Sequence, residues 1–219
     1  TFKKDDLIIK PKLYWKRNQD MYVYLRQDPS VYRNMHISNK VGAEINMVLN
    51  NELGLLGLGI DMSNTTLSSN NLGERDRKML HIFAEQQMRF FDDKLDLTPG
   101  LTITYFSDLA NSTDPDSVET SDGWANIPHI YPGIDLGYSF SEKFKLYGNF
   151  GYTFRIPTYT DLFYSSPTTE GNEFLVHEKA LTSELGIKYK KENFNLTFSA
   201  YNRAASDVID YVKNEESEP

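Results

Sequence analysis

The feature that most constrains this chain is a regular alternation of apolar and polar residues over segments of roughly ten residues. The pattern recurs nine times, and helical spacing is not convincing anywhere in the chain. The nine segments are Leu7–Trp15, Val41–Leu49, Leu56–Met62, Leu80–Phe90, Leu95–Phe106, Ile130–Phe140, Phe144–Arg155, Leu181–Tyr189 and Phe194–Ala200. Because successive side chains of a strand point to opposite faces of a sheet, each segment is predicted to be a β-strand with one apolar face. The chain is predicted to be all-β.

The connections between these segments alternate between short and long. Short turns (NNELG, FDDK, SEK and KKEN) follow the strands that end near Leu49, Phe90, Phe140 and Tyr189. Long connections occupy residues 18–36, 67–76, 108–129 and 155–180. If sequential strands pair antiparallel, every short turn lies at one edge of the sheet and every long loop at the other.

Two architectures produce such faces, a soluble β-sandwich and a transmembrane β-barrel. Sandwich strands run about 5–6 residues, and their loops are not sorted by length. Strands of about eleven residues, tilted near 40°, rise about 28 Å, close to the apolar band of about 25 Å of a membrane barrel. Aromatic residues gather at the ends of the apolar faces, as membrane interfaces favour. The pattern favours the antiparallel transmembrane barrel, and the sandwich remains the alternative.

The polar face of the predicted strands carries charges of both signs, which a dry core would not tolerate. We therefore expect it to line a hydrated lumen or to contact a protein plug. Its members are Glu44, Asn46, Asp61, Glu85, Gln87, Arg89, Asp135, Asn149, Glu184 and Lys188.

Composition excludes several functional classes. The net charge of −8 and pI near 5.0 argue against a nucleic-acid partner. The absence of cysteine removes disulfides, thiolate chemistry and cysteine-based zinc sites. The His177-Glu178 pair lacks the second histidine of a metalloprotease motif, and no other constellation suggests catalysis. The chain is predicted not to be an enzyme.

The segment FRIPTYTDLFYSSPTTEGNEFL resembles the C-terminal third of TonB-dependent outer-membrane receptors. The matching positions are Phe154, Arg155, Pro157, Asp161, Leu162, Gly171, Asn172, Leu175, Glu178 and Lys179, with His177 at a usual proline position. YPGIDLGYSFSEKFKLYGNFGY and KLDLTPGLTITYFSD resemble the preceding hairpins. Within this family, RNMHISNKVGAE and LSSNNLGERDR look most like vitamin B12 (cobalamin) receptors.

This resemblance implies a bacterial outer-membrane transporter that captures a scarce ligand, cobalamin first, with energy from the TonB complex acting through a plug domain. Residues 1–219 are then expected to hold about nine strands of a 22-stranded barrel, without the plug and the C-terminal strand. Expected partners are outer-membrane lipid, lipopolysaccharide, the transported molecule and a surface lipoprotein cap. A siderophore or haem receptor, and a passive porin or adhesion barrel, are the alternatives.

Ligand contacts are expected on two long loops that are rich in tyrosine and arginine, since both side chains bury area while keeping hydrogen bonds. The candidates are Tyr22, Tyr24, Arg26, Tyr32, Arg33, Tyr159 and Tyr164. Tyr22, Arg26, Tyr32 and Tyr164 are expected to face outward near the mouth.

No cofactor is expected to be required, although the acidic segment NSTDPDSVETSDG could hold calcium. Clustered carboxylates on a loop supply the oxygen ligands that Ca²⁺ prefers. The candidate ligands are Asp114, Asp116, Glu119 and Asp122. Their spacing departs from an EF-hand, so a solvated acidic loop is the alternative.

Overall fold

All nine predicted strands are present in the computed structural model, which describes residues 1–111, 127–166 and 168–212. Three short strands and one short helix accompany them. The elements are β1 (Phe2–Lys4), β2 (Leu7–Val23), β3 (Arg33–Asn51), β4 (Gly54–Ser69), β5 (Gly73–Phe90), β6 (Leu95–Asn111), β7 (His129–Ser139), β8 (Phe144–Arg155), α1 (Tyr159–Phe163), β9 (Ser165–Ser166), β10 (Thr169–Glu170), β11 (Glu178–Lys191) and β12 (Phe194–Ser206). No helix in these ranges is long and apolar enough to cross a membrane.

Ten of the strands form one antiparallel sheet in the order β1-β2-β3-β4-β5-β6-β7-β8-β11-β12. Strands that follow each other in the sheet are thus neighbours along the chain, apart from the β9–β10 hairpin inserted between β8 and β11. This order confirms the sequential antiparallel pairing, which puts alternate connections at opposite edges; of the connections predicted to be long, the one between β4 and β5 is short. We call these edges the short-turn edge and the long-loop edge.

One face of the sheet is an apolar face, and no layer of described residues packs against it. Its middle is a row of residues that lie directly opposite one another across six strands: Pro11, Ile45, Ile60, Ile82, Ile103 and Ile130. Leu13 on the same face is 85% exposed and Trp15 is 67% exposed. A soluble sandwich would bury this face, whereas a barrel wall turns it toward lipid.

The strands extend well beyond the alternating segments, because β2 to β6 continue toward the long-loop edge. β3 has 19 residues and β5 has 18, against roughly ten predicted. In the extensions the residues that continue the apolar face are mostly polar, as in the Arg17–Asn39–Thr66–Asp76 row. The prediction of a long loop at residues 67–76 is therefore wrong: β4 and β5 are joined by a tight turn at residues 70–72.

The opposite face is the polar face, and contacts across strands confirm that the predicted polar residues share it. The Tyr14 hydroxyl donates to Asp61 at 3.1 Å, and Asp61 lies opposite His81 in the register. Lys12 forms an ion pair with Glu44 at 3.1 Å, and Asn149 donates to Glu184 at 3.3 Å. These polar and charged groups thus find hydrogen-bond and ion-pair partners on the neighbouring strands.

Two prolines that sit inside strands lie where a ladder is interrupted. The β5–β6 register lacks pairs between Glu85–Gly100 and Met88–Leu97, and Pro99 falls in this gap. The β7–β8 ladder ends at Gly133–Gly151, next to Pro132. Because proline has no N–H to donate, these interruptions remove the bonds that it could not make.

Aromatic rings cover glycines on the polar face, and Gly59 is the tightest case. A Cβ built on Gly59 would lie 1.9 Å from the ring of Phe83, which is its direct cross-strand partner. Tyr14 covers Gly42 and Tyr147 covers Gly186 in the same way. Such aromatic cover of a strand glycine pins the register of neighbouring strands.

Substitution of Gly59 by valine is expected to destabilise the folded wall by about 1–3 kcal/mol, because the Phe83 ring must leave its position. The measurement is the free energy of unfolding in detergent, with the Gly59→Val/Phe83→Ala double variant as the control. The double variant should recover part of the loss, since the clash is gone. Equal losses in both variants would contradict the steric explanation.

Candidate functional site

The segment FRIPTYTD at the end of β8 forms a compact ion-paired group around Arg155. Its guanidinium donates to both carboxylate oxygens of Glu178, at 2.9 and 3.1 Å, and to Asp161 at 3.1 Å. Glu178 begins β11, so this ion-paired group joins the two ends of the long loop of residues 156–177. Bidentate arginine–carboxylate pairs fix geometry as well as charge.

Residues of the same motif also fix where α1 begins and where the loop passes back beside α1. Thr158 caps the helix by accepting from the Asp161 N–H, and Asp161 accepts from the Thr158 N–H at 2.8 Å, which completes a capping box. A Cβ on Gly171 would lie 2.8 Å from the backbone of Leu162, so the returning chain passes too close for any other residue. The motif residues thus define the shape of the loop.

Arg77 docks this loop onto the polar face of β5 and β6. Its Nε and Nη2 donate to the two carboxylate oxygens of Asp108, both at 2.6 Å. Its Nη1 donates to the carbonyl of Pro157 at 3.1 Å, and its guanidinium lies 4.8 Å from the centre of the Tyr159 ring. The Arg77 side chain is only 12% exposed. One arginine therefore joins two strands and the loop.

Two further contacts hold the far half of the loop. The Arg75 guanidinium lies 3.7 Å from the centre of the Phe163 ring, and its Nε donates to the Leu72 carbonyl at 2.9 Å. The Asn71 side chain, in the β4–β5 turn, donates to the Ser165 carbonyl at 2.7 Å. The loop is thus folded over the long-loop end of the polar face.

A cluster of hydroxyl and amide groups forms where the loop meets the β2–β3 end. Buried Asn34 donates to the Tyr32 hydroxyl at 3.2 Å. A hydrogen bond with Tyr32 raises the pKa of Tyr164, burial raises it further, and bonds to Asn34 and Ser166 act in the opposite direction. We call Tyr32, Asn34, Tyr164 and Ser166 the tyrosine cluster. Its neutral donors and acceptors suit a ligand that is rich in polar oxygen or amide groups.

The predicted ligand residues fall into four groups. Tyr32 and Tyr164 come together in the tyrosine cluster, and Tyr24 lies beside it through its N–H bond to the Tyr32 carbonyl at 3.1 Å. Tyr22 lies in β2 opposite Asn34, and Arg33 begins β3, so neither lies in the predicted loop. Arg26 is exposed in the connection between β2 and β3. Tyr159 lies apart from the cluster, in α1 against Arg77.

Sequence reasoning missed Arg75, Arg77, Asp108, Asn34 and Asn71. The segment GERDR did contain a signal, since Arg75 and Arg77 are two residues apart and therefore share one face of a strand. That signal was hidden because the segment was assigned to a loop.

Tyr159 is expected to ionise only above the ordinary tyrosine range. Burial raises its pKa, and the negative charge of Asp108 adds to the shift. Because the folded-state pKa is raised, the stabilisation from the neutral phenol is complete below about pH 10 and is lost as pH rises through the folded value. The phenolate absorbance that develops late in the titration should be smaller by one tyrosine in Tyr159→Phe than in the wild type.

In denaturant the difference between the two proteins should move to near pH 10, where an unperturbed phenol titrates. A folded-state difference spectrum that also appears near pH 10 would contradict the buried placement of Tyr159.

The calcium prediction lies outside the described residues, because Asp114, Asp116, Glu119 and Asp122 all fall within residues 112–126. Within the described ranges, no group of three or more His, Asp or Glu side chains is arranged to hold a metal ion.

Comparison with known proteins gives a consistent fold. The chain is similar to the copper transporter OprC (TM-score 0.73, 14% identity), covering 93% of this chain and 37% of that one. It is similar to the siderophore receptor PirA from Pseudomonas aeruginosa (TM-score 0.60, 14% identity), covering 90% of this chain and 39% of that one. It is also similar to the ferric-catecholate import receptor Fiu from E. coli K12 (TM-score 0.66, 11% identity), covering 92% of this chain and 39% of that one. The chain therefore spans less than half of each structure. No curated protein matches it in sequence.

At these identities the structures establish the fold alone: an antiparallel wall with one apolar and one polar face, as in these barrels. The sequence profile described as "TonB dependent receptor-like, beta-barrel" matches residues 12–217, nearly the whole chain. The chain belongs to the TonB-dependent receptor-like β-barrel family.

Proposed function

We propose that this chain forms part of the wall of a bacterial outer-membrane receptor that binds a scarce ligand at its outer end and imports it with TonB-derived energy. The observation that carries the proposal is the loop docked over the long-loop end of the polar face. The loop contacts Arg75 and Arg77 through Phe163 and Tyr159, and it contributes Tyr164 and Ser166 to the tyrosine cluster. In this proposal the long-loop edge is the extracellular edge, and the apolar face contacts lipid and lipopolysaccharide.

The ligand proposed first is cobalamin, from the resemblance of residues 33–44 and 67–77 to cobalamin receptors. The amide-rich periphery of cobalamin suits the neutral donors and acceptors of the tyrosine cluster. The second candidate is a ferric siderophore or another metal-bearing ligand. It is supported by the similarity to a copper transporter, a siderophore receptor and a ferric-catecholate import receptor. A shared fold leaves the ligand open, so binding must decide.

The proposed partners follow from the family. The TonB complex is proposed to act through a plug domain, and a surface lipoprotein is proposed to cap the outer loops. No catalytic step is assigned to the wall. Calcium is proposed to order residues 108–129 through the four acidic side chains, in which case chelation should weaken ligand binding.

The test uses the full-length receptor in outer-membrane preparations, with labelled cyanocobalamin and labelled ferric siderophores, in the presence and absence of TonB and of a chelator. Saturable binding with TonB-dependent uptake of one of them would support the proposal. Uptake that is unsaturable and independent of TonB would contradict it and would favour a passive porin instead. Saturable uptake of ferric chelates without cobalamin binding would remove only the cobalamin assignment.

A further inference from the structure

Four basic side chains lie close together on the polar face near the long-loop edge. Lys16 is directly opposite Lys40, Lys40 is opposite Thr65, and Thr65 is opposite Arg77. Arg75 lies two residues farther out on β5 and so on the same face. We call Lys16, Lys40, Arg75 and Arg77 the basic row. The face is confirmed by Lys40, whose Nζ lies 5.9 Å from the ring of Tyr14, the residue bonded to Asp61.

Most of the positive charge in this row has no carboxylate partner. Arg77 is paired with Asp108, but Lys16, Lys40 and Arg75 form no ion pair with any described residue. Two carboxylates lie at the row itself: Asp108 pairs with Arg77, and the charge of Glu173 acts on Arg75 without an ion pair. Farther along the polar face, Glu44 pairs with Lys12 and Asp61 accepts from Tyr14. The row is thus a local excess of positive charge in a chain of net charge −8.

The Lys16–Lys40 pair is unfavourable for the wall itself. Neighbouring strands are about 4.8 Å apart, and like charges placed directly opposite one another destabilise a sheet. Among the described residues the only compensation is a long cation–π contact between Lys40 and the Tyr14 ring at 5.9 Å, and neither lysine has an ion pair. An arrangement that weakens the fold while concentrating charge at one place indicates a binding role.

Arg75 is oriented for recognition of an anion. Its planar guanidinium is held over Phe163 at 3.7 Å and anchored through Nε to the Leu72 carbonyl. Its two Nη groups make no hydrogen bond to the described residues. Two parallel N–H donors on a fixed plane match the two oxygens of a carboxylate.

The position of the row favours a small ligand over a lipid headgroup. The apolar band ends at the same level with Trp15 and Val41 on the opposite face, so the row faces the lumen at the height of the outer membrane boundary. From Lys16 to Arg77 it crosses three inter-strand gaps, about 14 Å. This span suits a small molecule with several anionic groups.

We propose that the basic row is a subsite for a small ligand that carries at least two anionic oxygen groups, carboxylate or phenolate. The proposal rests on the receptor function proposed above and favours its second ligand candidate, a metal-bearing anionic chelate, over cobalamin. Arg75 holds one anionic group by the two Nη groups that bond to no described residue, and the Lys16–Lys40 pair neutralises a second. Binding of the anion removes the repulsion between the two lysines.

The test compares two ferric chelates of similar size on the full-length receptor in detergent: an anionic tris-catecholate and a neutral tris-hydroxamate. Equilibrium binding is measured at low and high salt. We expect the anionic chelate to bind more tightly and to weaken with salt. The Lys16→Gln/Lys40→Gln double variant and Arg75→Gln should each lose about 10-fold or more in affinity for it.

The matched control is Lys78→Gln, because Lys78 lies at the same level of β5 on the opposite face. It should bind both chelates like the wild type. The lysine double variant should also be at least as stable as the wild type to heat, since repulsion is relieved. A less stable double variant would indicate that an acidic segment of the same polypeptide occupies the row, and would overturn the proposal.

Failure of the inference is separable from failure of the proposed function. Unchanged affinity in the Lys16/Lys40 and Arg75 variants, with TonB-dependent uptake intact, would overturn the subsite and leave the receptor standing. Equal or tighter binding of the neutral chelate, or of cyanocobalamin, would do the same. Loss of TonB-dependent uptake of every ligand in the wild-type protein would instead overturn the receptor function.

Discussion

Replacement of Arg77 by alanine is expected to release the long loop from the wall. Arg77 binds Asp108 through two bonds of 2.6 Å and also holds the Pro157 carbonyl and the Tyr159 ring. Removing one partner of a buried ion pair typically costs about 3–5 kcal/mol, because the other charge is left uncompensated. Asp108 keeps 24% exposure, so we expect a loss near 3 kcal/mol, roughly a 100-fold shift toward the open loop.

Hydrogen exchange in the loop measures this release directly. The N–H groups of Tyr164, Gly171 and Asn172 bond to carbonyls within the loop and should lose protection together. Arg17→Ala is the control, because Arg17 is an exposed arginine that contacts only Asn39 among the described residues. It should leave exchange unchanged.

The Arg77→Ala/Asp108→Asn double variant tests how much of the lost protection is due to the unpaired charge of Asp108. Neutralising Asp108 removes the uncompensated carboxylate, so this variant should recover part of the protection. If Arg77→Ala leaves loop exchange at the wild-type rate, Arg77 does not anchor the loop.

The membrane part of the wall was predictable from sequence, because only there must one face be apolar. From Ile9 to Trp15 the outward side chains contact lipid and the inward ones face the lumen, so Ile9, Pro11, Leu13 and Trp15 alternate with Lys10, Lys12 and Tyr14. The predicted segment ended at Trp15, where the apolar band itself ends. Beyond it both faces are polar, as Arg17 and Lys16 illustrate, so β2 continues to Val23 without any alternating signal.

The site could be predicted only in part for the same reason. Tyr32 and Tyr164 were found because aromatic residues in long loops are a compositional signal. Their meeting depends on Asn70 and Asn71, which tie the β4–β5 turn to the Arg33 carbonyl and to the Ser165 carbonyl. The Asn71–Ser165 contact joins segments more than 90 residues apart in the sequence. No local sequence pattern predicts a contact at that distance. The role of Arg77 was likewise visible only once β5 was known to extend past it.

Substitution of Ile82 by arginine is expected to destabilise the wall in a membrane by about 2–4 kcal/mol. Ile82 lies in the middle of the row on the apolar face that runs from Pro11 to Ile130, which we call the isoleucine row. Ile60 and Ile103 lie opposite it on the two neighbouring strands. An arginine at the bilayer midplane of a lipid-facing strand must keep its charge in hydrocarbon or distort the bilayer to reach water, which gives this cost. The measurement is the free energy of unfolding from lipid vesicles.

Ile37→Arg supplies the control for depth, since Ile37 lies on the same face of the sheet in the β3 extension. It is eight residues from Ile45 of the isoleucine row, or about 26 Å along the strand. The same substitution there should cost about 0–1 kcal/mol, because the side chain is beyond the apolar band. In detergent micelles, which adapt to a charge more readily, the difference between the two variants should shrink. Equal losses at Ile82 and Ile37 in vesicles would mean that the isoleucine row does not face the hydrocarbon.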